Sequence, residues 1–231
     1  MITLRINGLT TSVEEGTTVL EAARHLGFPI PTLCHMDGLT PYGACRLCMV
    51  EIGVGAKAKL VSSCTYPAEE GLQVRTASKR VLRARRMILE LLLASCPQSK
   101  VIQDLASAHD IRQQRFRQEH DDCILCGLCV RMCKEQMGAG AIGFRGRGEK
   151  RSIGTPFDAK SEVCRLCGGC IYVCPACQLR CTYSEPEKAI CGGCANLRPP
   201  CAEKESFDDM MCYMDPCVVC EIQKNERTKR S

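Results

Sequence analysis

An α+β chain in four segments is predicted by three observations. Residues 1–77 alternate apolar and polar side chains around one short helical stretch, residues 78–109 carry a helical apolar period, and all but one of the 21 cysteines fall into blocks of four or eight. At 231 residues, with 5 Phe, 5 Tyr and no Trp, the chain has length for one or two domains but few large aromatic side chains to build their cores. Cysteine-rich chains of this kind can draw part of their folding energy from metal ligation.

Each element of the first segment, residues 1–77, has a local cause. Ile2, Leu4 and Ile6 share one face of a strand, and Asn7-Gly8 is a type I′ hairpin signal followed by a return strand, Leu9 to Val13. Thr18-Val19-Leu20-Glu21 is a capping box that opens a short helix, which Gly27 ends. A cysteine loop, 34–48, precedes strands near Leu47–Ile52, Leu60–Ser62 and Leu72–Thr76. A hairpin, a helix and further strands around such a loop predict a β-grasp architecture.

The second segment, 78–120, is a helical linker. Ser78 caps a helix whose apolar stripe is read as Val81, Leu82, Met87, Ile88, Leu91 and Leu92, opposite Lys79, Arg80, Arg83, Arg85 and Arg86. These basic residues read as a solvated helix face. Pro97 stops the helix, a second runs from about Ser99 to Ala108, and residues 110–122 connect onward. The third segment, 121–182, contains a cysteine run twice, with a glycine-rich insert, Gly138 to Phe157, expected as a hairpin. The fourth, 183–231, is a polar, cysteine-rich tail.

The spacings carry the chemistry. Cys34, Cys45, Cys48 and Cys64 form C-x10-C-x2-C-x15-C, three ligands on a loop and a fourth from a later strand region. Four thiolates so placed fit a [2Fe–2S] cluster, although the spacing departs from the plant ferredoxin pattern. Structural zinc favours two short knuckles, and this set has one. Gly43 and Ala44 let backbone amides approach the sulfur. Cys123, Cys126, Cys129 and Cys133 form C-x2-C-x2-C-x3-C, which Cys164, Cys167, Cys170 and Cys174 repeat before Pro175. In a two-cluster ferredoxin the fourth cysteine of each run ligates the other cluster. Cys123, Cys126, Cys129 and Cys174 are therefore assigned to one [4Fe–4S] cluster, and Cys164, Cys167, Cys170 and Cys133 to a second. Lys134 stands where proline often follows the fourth cysteine.

The remaining eight cysteines of the tail region are Cys177, Cys181, Cys191, Cys194, Cys201, Cys212, Cys217 and Cys220. Their knuckles fit one or two further [4Fe–4S] clusters, zinc, or free and disulfide-linked thiols; spacing alone does not apportion them. The tail is thus open as a catalytic cluster site or a zinc-stabilised docking module. Cys96, alone at a helix end, reads as a buried thiol.

Other chemistry is poorly supported. Gly138-Ala139-Gly140-Ala141-Ile142-Gly143 matches G-x-G-x-x-G, but its context is helix then strand, the reverse of a dinucleotide site. No flavin or NAD is expected on this chain. His25, His35, His109 and His120 are scattered, with His35 placed to tune the neighbouring Cys34. The net charge of +5 is mild and lacks the aromatic platform of a nucleic-acid surface. The N-terminus has no apolar leader and no stretch reaches a membrane span, which predicts a cytoplasmic protein.

PTLCHMDGLTPYGACRLCMVEI, SCTYPAEEGLQVRT, RRMILELLLAS and CILCGLCVRMCKE with CRLCGGCIYVCPA resemble the iron–sulfur N-terminal region of the large NADH-dehydrogenase (complex I) subunit. They are similar as well to that region of iron-only hydrogenases and to the small diaphorase subunit of NAD-reducing hydrogenases. The resemblance covers about residues 1–182 and implies that the twelve cysteines of the first three sets are ligands. The further cluster that these families hold with one histidine and three cysteines lacks its ligands here, because Ser95-Cys96-Pro97 stands at its expected start. The resemblance implies a non-catalytic electron-transfer subunit of a soluble flavin-based NAD(P)H oxidoreductase complex of hydrogenase, formate dehydrogenase or electron-bifurcating type. Its partners would be a flavin- and NAD(P)H-binding diaphorase subunit and a second redox catalytic subunit.

Overall fold

The computed structural model describes residues 1–112, 115–116, 123–159, 161–165 and 167–176. Two compact units emerge, Met1–Ser95 with Ile102–Glu119, and Cys96–Val101 with His120–Ser231.

The first unit is a five-stranded mixed sheet of order β2-β1-β5-β3-β4, with β1 Ile2–Ile6, β2 Leu9–Val13, β3 Met49–Ile52, β4 Lys59–Ser62 and β5 Gln73–Arg75. β1 and β2 are antiparallel in the register Ile2↔Val13 to Ile6↔Leu9. Their turn is the left-handed pair that the sequence predicts, with φ of 49° at Asn7 and 91° at Gly8. Asn7 then closes the sheet's far end: its Nδ2 donates to Thr76 Oγ1 at 2.7 Å, and its Oδ1 accepts from the Thr76 amide at 2.9 Å. β1 runs parallel to β5, while β3 pairs antiparallel with both β4 and β5.

Helix α1 (Val19–His25) starts at the predicted capping box, with Thr18 Oγ1 accepting from the Glu21 amide and the Glu21 carboxylate accepting from the Thr18 amide. At its other end the Gly27 and Phe28 amides reach back to the carbonyls of Arg24 and Ala23, and Gly27 supplies the positive φ this stop needs. Val19, Leu20, Ala22 and Ala23 pack on Leu4, Ile6, Val50, Ile52 and Val74, and the same apolar cluster includes Cys48 and Cys64. Full burial of a side chain such as Leu20 contributes about 1.5–3 kcal/mol. The hydrophobic effect that assembles this unit therefore also brings two candidate ligands together.

Helix α2 (Lys79–Ser95) is capped by Ser78, whose Oγ accepts from the Val81 amide. Its buried face differs from the predicted stripe. Val81, Arg85, Leu89 and Ala94 are buried, whereas Leu82, Met87 and Leu91 are exposed. The series 81, 85, 89 is an i, i+4 row that drives one arginine into the interior, so Arg85 does not belong to the solvated basic face. Arg80 and Arg86 stay on that exposed face, donating to the carbonyls of Ala58 and His109. Buried Glu51 on β3 meets Arg75 at 3.4 Å and Arg80 at 3.7 Å, tying helix to sheet.

In the second unit α4 (Leu128–Arg131) leads into a π-helical turn, Met132–Gln136. The predicted hairpin follows as β6 (Gly143–Arg145) and β7 (Ser152–Gly154), and then α5 (Gly169–Tyr172). Helix α3 (Lys100–Ala108) matches the predicted second helix. Ile142, Ile153 and Cys170 form this unit's apolar cluster. Among the described residues, no helix is long and apolar enough to cross a membrane.

Replacing Thr18 by alanine removes a cap whose worth is typically about 1 kcal/mol. Chemical denaturation should show that loss for Thr18→Ala and close to none for Thr18→Ser, which keeps the accepting oxygen.

Candidate functional site

Cys34, Cys45, Cys48 and Cys64 are all buried, and none is in a disulfide. Leu33, Leu39 and Leu47 anchor the loop that carries the first three. Left-handed turns at Gly43 and Arg46, with φ of 69° and 59°, coil it inward. At Gly43 a Cβ would lie 3.1 Å from the Thr65 methyl, so the close approach of the two ligand-bearing segments favours glycine there. Ser63 completes the junction, its Oγ donating to the Cys48 carbonyl at 2.8 Å.

The four sulfurs crowd against one another. Cys48 Sγ and Cys64 Sγ are 3.3 Å apart, and the Cys45 amide donates to Cys34 Sγ at 3.5 Å. Hydrogen bonds from the Cys45 and Cys64 thiols hold Cys34 down to about 2, and the Cys64 thiol holds Cys48 down to about 6. The donors respond inversely. Cys45 is pushed up by its bond to Cys34, and Cys64 by its bonds to Cys34 and Cys48, with burial adding to both. Charge is thus favoured on Cys34 and Cys48 and disfavoured on Cys45 and Cys64. Four thiolates can coexist here only with cationic charge among them.

His35, beside Cys34, has a side chain 6% exposed. Its Nε2 lies 3.4 Å from the Asp37 carboxylate, yet neither ring nitrogen makes a hydrogen bond. Arg85 approaches from α2, its Nη2 donating to the Met49 carbonyl at 2.8 Å, one residue from Cys48. The sequence reading missed this residue. The signal was its position four residues from both Val81 and Leu89.

In the second unit Cys133 lines a single cavity with Cys164, Cys167 and Cys170, closed by Ala139, Ala141 and Ile142. The G-x-G-x-x-G segment has a local use here. The amides of Ala139 and Gly140 donate to the Cys133 carbonyl at 3.0 and 3.1 Å, and that of Ala141 donates to Cys133 Sγ at 3.2 Å. Its glycines wrap backbone around a cysteine. Burial pushes Cys170 up to about 12, helped by the negative charges of Cys133 and Cys167.

Cys123 and Cys129 pack on the same apolar cluster as Cys133, Cys164 and Cys170, and the Leu125 amide donates to Cys123 Sγ at 3.4 Å. Cys126 is buried and Cys174 half-buried. Gly127 and Gly168 occupy equivalent places in the repeat, each at φ near +70° (70° and 71°) immediately before its short helix. Cys96 is buried, as expected of it. Cys177, Cys181, Cys191, Cys194, Cys201, Cys212, Cys217 and Cys220 lie outside the described residues. Among the described residues no three metal-binding side chains converge as they would on one ion. The sulfurs of the first set crowd against one another, and Cys133, Cys164, Cys167 and Cys170 line a cavity.

Residues 1–79 match the family of 2Fe-2S iron-sulfur cluster binding domains. The fold is therefore mixed α and β with a 2Fe–2S ferredoxin-type domain at its N-terminus, and the protein is an iron–sulfur protein. A crystal structure of NAD+-reducing [NiFe]-hydrogenase in the H2-reduced state contains a chain that is 33% identical, with a TM-score of 0.60 over 70% of this chain and 77% of that one. The NADP-reducing hydrogenase subunit HndD of Solidesulfovibrio fructosivorans is 34% identical over 207 residues, 76% of this chain and 35% of its own length. A subunit of the NADH-quinone oxidoreductase of Rhizobium meliloti is 34% identical over 202 residues, and the NADPH-Fe(3+) oxidoreductase subunit alpha of Geobacter sulfurreducens 33% over 201. Each of these two matches covers 76% of this chain and 23% of the relative, so the chain spans about a third or less of these curated relatives. The chain belongs to the iron–sulfur family shared by the N-terminal region of the complex I large subunit and the corresponding subunits of NAD(P)-linked hydrogenases.

Gly127→Ala and Gly168→Ala each force a side chain into a left-handed backbone, which costs about 1–2 kcal/mol. Anaerobic thermal melts of the two variants should show losses of similar size, as the repeat's symmetry demands; a loss at one position alone would contradict it.

Proposed function

We propose that this chain is the iron–sulfur relay subunit of a flavin-based NAD(P)H oxidoreductase complex, with its N-terminal unit a β-grasp holder. Cys34, Cys45, Cys48 and Cys64 hold a [2Fe–2S] cluster. Cys123, Cys126, Cys129 and Cys174 hold one [4Fe–4S] cluster, and Cys133, Cys164, Cys167 and Cys170 another. The observation that carries the reading is the cavity shared by Cys133 and the later run, 31 residues downstream at its first cysteine, Cys164. That placement supports the reading, because a two-cluster ferredoxin has the fourth cysteine of each run ligate the other cluster. The first set fits as well, because four buried sulfurs in contact want cations in place of protons.

When bound, the clusters accept and pass on single electrons at low potential, near −400 mV for plant-type [2Fe–2S] centres. The chain's own residues do the rest. Leu33, Leu39 and Leu47 keep water from the first set, and Ile142 and Ile153 do so for the second unit. The amides of Cys45, Leu125 and Ala141 stabilise negative sulfur. No flavin or nicotinamide is bound by the chain in this reading. Electrons come from or go to a diaphorase subunit carrying flavin and NAD(P)H, and a second redox subunit of hydrogenase, formate dehydrogenase or electron-bifurcating type stands at the other end. The complex is cytoplasmic in this reading.

Anaerobically assembled protein should hold at least about ten irons, two in the first centre and four in each of the next two. Cys48→Ser should lose about two of them and Cys170→Ser about four, each leaving the other centres' EPR signals in place. NADH alone should not bleach the clusters, and adding a flavin-bearing diaphorase should. Bleaching without any flavoprotein would refute the proposal.

A further inference from the structure

Arg85 is buried to 4% exposure on the face of α2 that packs against β3. Its Nη2 is spent on the Met49 carbonyl, and its Nε is buried without a partner. Among the described residues no carboxylate pairs with it, since Glu51 engages Arg75 and Arg80 instead. A guanidinium in such a place is stable only if something anionic balances it. Burial works against its charge, and the negative charge that reaches it is that of Cys48. Helix packing alone does not ask for an arginine between Val81 and Leu89, where any apolar side chain would complete the row.

We infer that Arg85 is a positioning residue of the N-terminal metal centre, fixing the Cys48 loop through Met49 and setting a permanent positive charge on the Cys48–Cys64 side. The inference rests on the reading of the first four cysteines as [2Fe–2S] ligands. A cluster held by four thiolates is anionic and gains one further negative charge on one-electron reduction. Net charge is among the levers that set cluster potentials. A fixed cation beside Cys48 would favour the reduced state of a cluster held by these four cysteines. No proton moves, because the guanidinium stays charged throughout.

The test uses the full chain, assembled anaerobically, with an EPR-monitored titration of the [2Fe–2S] signal against one-electron mediators. Arg85→Gln should lower the ratio of reduced to oxidised centre about tenfold at fixed potential, which is 59 mV for one electron. Arg85→Lys, which keeps the charge, should stay within about threefold of the parent, and the other clusters should not shift in either variant. Parent-like behaviour of both variants, or equal shifts in both, would overturn the inference. Should the glutamine variant fail to keep its cluster, Arg85→Lys decides alone. A lysine variant within about threefold of the parent supports the inference, and one shifted about tenfold overturns it. A parent that shows no [2Fe–2S] signal at all defeats the underlying reading rather than the role of Arg85.

Discussion

Sulfur crowding is the constraint on which the rest of the structure depends. Cys48 and Cys64 bring their sulfurs to 3.3 Å in a buried setting, and Cys34 is hydrogen-bonded by both Cys45 and Cys64. Thiolates at such separations repel strongly where the effective dielectric is low. The fold can hold them only by supplying protons, amide hydrogens or cations. Everything around the first centre follows from that need: a left-handed loop that turns amides inward, a glycine where two ligand segments touch, and an apolar shell that excludes water. Because Cys48 and Cys64 sit in the same cluster as Leu4, Val19 and Leu20, the packing that builds the hydrophobic core also holds these two sulfurs together.

The second unit solves the same problem by repetition. Two short cysteine runs each place a left-handed glycine before a single helical turn. The glycine-rich insert after the first run folds back on Cys133, satisfying its carbonyl and its sulfur with three consecutive amides. The first unit thus relies on a sheet and helix for rigidity and the second on backbone donors close to the sulfur. Both keep donors in place before any metal arrives, which lowers the reorganisation needed when charge changes.

Much of this was legible in the residues, for identifiable reasons. The hairpin at Asn7-Gly8, the capping box at Thr18 and Glu21, the stop at Gly27 and the insert hairpin rest on local turn and cap chemistry, which depends little on tertiary context. The reading of α2 failed where tertiary context decides. A stripe chosen by apolar character put Leu82, Met87 and Leu91 inside and Arg85 outside, whereas the row that faces β3 is set by geometry and includes the arginine. The cysteine spacings announced sulfur chemistry, yet could not disclose that Ala141 donates to Cys133, since that contact exists only once the insert folds back. The same limit hid the two orphaned ring nitrogens of His35.

If the chain is an insulated row of iron–sulfur centres, its iron must be divided among distinct cluster types in fixed proportion. Mössbauer spectra of the 57Fe-enriched protein, taken as assembled and after reduction, count those types directly. The account predicts one [2Fe–2S] centre for every two or more [4Fe–4S] centres, with the binuclear component lost when Cys64 is changed to serine. Iron confined to a single cluster type, or a binuclear component that survives Cys64→Ser, would contradict it.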